Sequence, residues 1–127
     1  MADAAVVTNG GLGIITNRMV GSGTEPKYIG WGVGTGAAAV GDTALGSAGA
    51  EARTTGTSSR VQTTDANDTY QVVGAITCTG AGKAITEVGL FDAASSGNLF
   101  FRGSFSAINV SVGDSIEFTL KTVFNQA

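Results

Sequence analysis

Apolar and polar residues alternate over much of the C-terminal half of the chain. Tyr70, Val72, Ile76 and Cys78 are interleaved with Gln71, Thr77 and Thr79; Ile108, Val110 and Val112 with Asn109 and Ser111; Ile116, Phe118 and Leu120 with Glu117, Thr119 and Lys121. A period of two sets one side of a segment on a core and the other toward water, so each stretch predicts a half-buried β-strand. Two more apolar runs, residues 85–92 and 99–105, flank Ala93-Ala-Ser-Ser-Gly-Asn98 and predict a β-hairpin with a small-residue turn. Tyr28 to Val33 predicts a strand with Ile29, Trp31 and Val33 on one face. Ala52 to Thr63 is polar and Thr-rich, with little to bury, as suits an edge strand.

The first half is less regular. Residues 1–10 are small and polar and are expected to form a flexible N-terminal arm, leaving 11–127 as a single domain. Gly11 to Val20 fits two patterns. Leu12, Ile15 and Met19 recur at i, i+3 and i+7, with Gly21 as a stop, while Leu12, Ile14 and Val20 also fit strand alternation. A turn follows at Pro26. Gly34 to Gly49 is a glycine-alanine loop whose length calls for contacts of its own. Counting gives about seven strands at the turn spacing of a two-sheet protein, which predicts an all-β, single-domain antiparallel β-sandwich, jelly-roll-like.

Several segments are also distinctive in wording. Glu87-Val-Gly-Leu-Phe-Asp92, a small-residue turn and Leu99-Phe-Phe-Arg102 resemble a recurrent segment of small structural proteins of tailed bacteriophages. Tyr28-Ile-Gly-Trp-Gly-Val-Gly-Thr-Gly36, followed by Asp42-Thr-Ala-Leu-Gly46, is similar to the same family's glycine loop and Asp-Thr-x-Leu turn. The order of these motifs is kept from about Gly11 to Phe124. The resemblance favours a short helix over Gly11–Val20. It implies a virion structural protein, a capsid decoration or cement protein bound to the major capsid protein. Alternative places on the particle are a head fibre, a tail or baseplate component and a receptor-binding tip.

Composition agrees with a structural role. The chain has 127 residues, 20 glycines and 13% charged residues, with a formal charge of −3. Seven basic side chains are scattered singly, so no patch is present to neutralise phosphates and nucleic-acid binding is not expected. No apolar run approaches the roughly 20 residues that span a bilayer. Met1-Ala-Asp-Ala-Ala5 lacks the charge and apolar core of a signal peptide, and Cys78 is the only cysteine, both in keeping with synthesis in a bacterial cytoplasm before incorporation into the virion. A bacterial surface or pilus module is disfavoured on the same ground.

Candidate chemistry is sparse. Gly32-Val-Gly-Thr-Gly-Ala37 matches Gly-x-Gly-x-x-Ala after a strand, but the dinucleotide fingerprint also needs a helix opening there, and Ala37 to Gly46 has no apolar period. A structural loop is the better reading. The chain contains no histidine, the usual general base and commonest metal ligand. Asp65, Asn67 and Asp68 gather oxygen ligands without the Gly and bidentate Glu of a dedicated calcium loop, as a solvated turn would. Asp42, Glu51, Glu87 and Asp92 show no spacing that fixes a catalytic pair. Cys78 lies on the apolar side of its strand and reads as a packed thiol. No enzyme, cofactor, metal site or small-molecule substrate is therefore expected.

What remains is contact surface. Glu87 and Arg102 lie on partner strands, where a cross-strand ion pair is favoured over a subunit contact. Consecutive strand residues point to opposite faces, so only one of Phe100 and Phe101 is expected in the core, with Phe100 emerging at an interface. The expected interface set is Phe100, Arg102, Arg53, Arg60, Gly34, Thr35 and Gly36. The spare aromatic and the polar edge near Arg53 and Arg60 point to a homotrimer.

Overall fold

The computed structural model describes residues 4–126 of the chain. Two antiparallel sheets and one short helix enclose a single core, an all-β sandwich. In chain order the elements are β1 (Ala4–Val7), α1 (Asn9–Met19), β2 (Tyr28–Gly32), β3 (Thr54–Thr55), β4 (Thr57–Val61), β5 (Thr69–Thr77), β6 (Lys83–Phe91), β7 (Leu99–Val110) and β8 (Ser115–Val123). The larger sheet runs β1-β7-β6-β2-β3, the smaller β4-β5-β8. Ile29, Trp31, Val88, Leu90 and Phe101 of the first sheet meet Val72, Ile76, Phe118 and Leu120 of the second in one buried cluster. Phe105 and Phe118 touch across the gap, their ring centroids 6.4 Å apart.

The flexible arm expected over residues 1–10 is corrected. Its first three residues lie outside those described, but Ala4–Val7 is a strand paired antiparallel with β7, Ala4 facing Ser104 and Val7 facing Phe101. Polarity misled here, because small side chains suffice for a strand held by its backbone ladder. Thr8 then starts the helix. It is fully buried, its hydroxyl accepts from the Gly11 amide at 3.1 Å, and it donates to the Leu99 carbonyl. This cap, rather than propensity, secures a segment that carries three glycines at positions 10, 11 and 13.

The helix forms where the heptad-like pattern placed it, yet buries a different face. Ile14 is 4% exposed, whereas Leu12 is 58% and Met19 80% exposed. The alternation at the end of β7 is likewise only partly buried: Val110 is in the core, while Ile108 and Val112 are exposed. The Thr-rich segment 52–63 divides at Gly56 into β3, an edge of the large sheet, and β4, an edge of the small one. A Cβ on Gly56 would lie 2.4 Å from the Val72 side chain, so the chain crosses between layers where only glycine fits.

Candidate functional site: a glycine loop closed on a buried ion pair

β6 is buried on both faces. Val88 and Leu90 enter the core between the sheets, and Glu87, Gly89 and Phe91 face the other way, under the long loop between β2 and β3. Loops of that length need anchors, and Glu87 is the principal one. Its side chain is 0% exposed. One carboxylate oxygen accepts from the Gly34 and Ser47 amides, each at 2.8 Å; the other accepts from the Gly46 amide at 2.7 Å and from Arg102 Nε at 3.0 Å. Arg102 Nη2 stands 2.9 Å from the same oxygen. The backbone amides of a glycine-rich loop form an anion-binding concavity. Here the anion comes from within the chain.

Arg102 sits diagonally across the ladder, opposite Gly89, while Glu87 faces Ser104. Its other donors complete the closure: Nη1 reaches the Asp42 carboxylate at 2.8 Å and the Ala37 carbonyl at 3.1 Å, and Nη2 reaches the Gly36 carbonyl at 3.0 Å. Asp42 in turn accepts from the Ala39 amide at 2.8 Å. Burial alone would raise the Glu87 pKa. The three amides and the guanidinium outweigh it and hold the carboxyl below its ordinary range. The Ala39 amide and Arg102 do the same for Asp42.

A second anchor holds the loop's far end. The Trp31 indole donates to Glu51 at 2.8 Å, the Thr79 amide donates to it at 2.9 Å, and Lys83 pairs with it. Desolvation works against the Glu51 charge, but Lys83, the Thr79 amide and Trp31 prevail and lower its pKa to about 2. Sequence reasoning did not connect Trp31, Glu51 and Lys83. They are separated by tens of residues, and no one motif contains more than one of them. The only signal was a tryptophan with a polar N–H in an otherwise buried strand, which requires a partner.

The expected interface residues are therefore mostly internal. Phe100 is 2% exposed and packs edge-on against Tyr70, ring centroids 6.4 Å apart, which corrects its placement at an interface. The reason is a register shift: Leu90 faces Phe101 and Phe91 faces Leu99, leaving Phe100 unmatched on the ladder and free to join the same cluster as Phe101. Arg102, 3% exposed, is likewise internal, and its ion pair with Glu87 is the interaction expected across the strands. Arg53 is half-buried, its guanidinium 3.4 Å from the Phe91 ring centre while Nη1 donates to the carbonyls of Ala93 and Ser96 in the hairpin turn. Gly34 is part of the Glu87 cradle. Only Arg60, Thr35 and Gly36 present exposed surface.

The other candidates are also accounted for by local structure. Asp68 turns both carboxylate oxygens onto its own loop, accepting from the amides of Thr63, Thr64 and Asp65 and from the Thr69 hydroxyl. Among the described residues no cluster of three or more His, Cys, Asp or Glu could hold a metal. Cys78 is buried, its thiol 3.3 Å from the Ala81 carbonyl. No helix among the described residues is long and apolar enough to cross a membrane. No protein-family model, curated protein or solved structure matches this chain.

Proposed function

We propose that the chain is a structural protein of a tailed-phage virion, most simply a decoration protein that binds the major capsid protein and braces the mature head. The observation that carries this reading is the convergence of the recognised motifs. Glu87 and Arg102 of the hairpin, Gly34 of the glycine loop and Asp42 and Gly46 of the following turn form one network. The residues that carry the resemblance are those that clamp a long loop to a sheet, which supports reading them as one structural unit. The loop's outer surface, with Thr35, Gly36 and a 56% exposed Val40, is the proposed capsid contact. Such a role needs shape and many copies rather than reacting groups, and weak contacts multiply when several are made at once. We do not assign catalysis: Glu87, the most enclosed carboxylate, is held ionised and walled off from solvent.

The test is quantitative mass spectrometry of purified virions encoded beside this gene, followed by binding of the protein to isolated heads. Hundreds of copies per particle and co-sedimentation with heads are expected, weakened by Val40→Asp. A few copies confined to tails would favour the fibre or baseplate alternative, and absence from virions would end the proposal.

A further inference from the structure

β8 is an edge strand along its whole length. Among the described residues it is paired only with β5, all nine of its residues matched on that side and none on the other. Long open edges invite pairing with another chain. A groove of about 370 Å³ runs beside this edge, between Phe105 and Ile108 of β7 and Ile116 to Thr119 of β8, so no part of the described chain covers it. Ile108 there is 44% exposed.

The sequence of this edge is complementary to itself. Thr119 is the midpoint of Ser115–Val123. An antiparallel copy centred on Thr119 matches all nine residues, with Thr119 facing Thr119, Glu117 facing Lys121 and Lys121 facing Glu117. These three residues are exposed and share the outer face of the sheet. On the inner face Phe118 meets Leu120. Opposite charges and paired Thr residues at facing positions favour a strand pair, whereas like charges oppose it.

We infer that β8 pairs with β8 of a second copy of this chain about a two-fold axis at Thr119, joining two three-stranded sheets into one of six strands. An isologous contact of this kind closes on itself and covers the β8 edge of both copies. The inference stands apart from the virion reading, since it rests on β8 alone. It differs from the homotrimer expected from the sequence, of whose motives Phe100 is buried while the polar edge at Arg60 stays exposed.

Sedimentation velocity at tens of micromolar tests it. The wild-type chain is expected at twice its 12.6 kDa mass. Glu117→Lys sets Lys against Lys at two places in the pair, and Lys121→Glu sets Glu against Glu. Each is expected to weaken self-association by about tenfold or more while leaving the circular dichroism spectrum of the folded chain in place. An equimolar mixture of the two restores opposite charges at every facing position and is expected to recover the dimer. A wild-type monomer, a three-copy species, a dimer indifferent to either substitution, or two monomeric variants that stay apart on mixing would each overturn the inference.

Discussion

Glu87 and Arg102 are held 2.9 Å apart on adjacent strands, both side chains at most 4% exposed, with three loop amides converging on the same carboxylate. Removing the cation strands a buried anion, whereas removing both charges does not. Arg102→Ala is expected to lower stability by roughly 3–5 kcal/mol, the usual range for breaking a buried pair from one side. The double variant Glu87→Gln, Arg102→Ala should lose less than the losses of Glu87→Gln and Arg102→Ala added together. Urea unfolding of the four proteins measures this, and strict additivity would show that the pair is not coupled.

The first strand is a structural element with consequences for expression. Deleting residues 2–7 removes the partner of Phe101–Ser104 and opens the edge of the large sheet. The deletion is expected to lower the melting temperature and promote aggregation. Thr8→Val isolates the cap: it keeps the shape, loses both hydroxyl bonds, and should cost about 1–3 kcal/mol. Unchanged melting for both variants would return this segment to the status of a dispensable arm.

The strands of the second half were legible because their alternation reflects a physical division between core and water. β5, β6 and β8 fall within two residues of the apolar runs that predict them. The segments that misled are those where backbone geometry overrides the pattern. β1 has no large apolar residue beyond its two valines, and the bulge beside Phe100 breaks the rule that neighbours face opposite ways. Likewise, Leu12 and Met19 mark a helical stripe correctly, but the cap at Thr8 fixes the helix with Ile14 inward. The ion pair of Glu87 and Arg102 could be read from the hairpin. The glycine loop's part in it could not, since backbone amides carry no sequence signature.

Acid should destabilise the fold in a defined window. Glu51, Glu87 and Asp42 all have folded-state pKa values below their ordinary ones. A depressed carboxyl pKa contributes stability above the unfolded value and loses it as pH falls through the folded one. With no histidine in the chain, the melting temperature should be nearly level between about pH 5 and 8. It should fall from the ordinary glutamate value of 4.5 down to the Glu51 value of about 2. Glu51→Gln should lower stability at neutral pH and make this acid decline shallower. A decline of equal depth in that variant would assign the acid sensitivity to the other carboxyls held below their ordinary range, Glu87, Asp42 and the amide-bonded Asp68.

Two glycines of the same loop separate structural packing from mere loop composition. A Cβ at Gly34 would stand 2.4 Å from a Glu87 carboxylate oxygen and 2.8 Å from the Ser47 amide nitrogen, in the middle of the anion cradle. A Cβ at Gly36, two residues on, meets nothing within 4 Å. Gly34→Ala must push the loop off the carboxylate or the carboxylate off its amides, at a cost of at least about 1–3 kcal/mol, as for overpacking a filled interior. Gly36→Ala has no such neighbour to displace and, by restricting the unfolded chain, should be neutral or stabilising by up to about 1 kcal/mol. If the loop served as a binding element held loosely on the sheet, both substitutions would leave thermal stability alike. Chemical denaturation of the two variants, with amide exchange at Gly46 and Ser47 as a local readout, distinguishes these outcomes: protection there should collapse in Gly34→Ala and persist in Gly36→Ala.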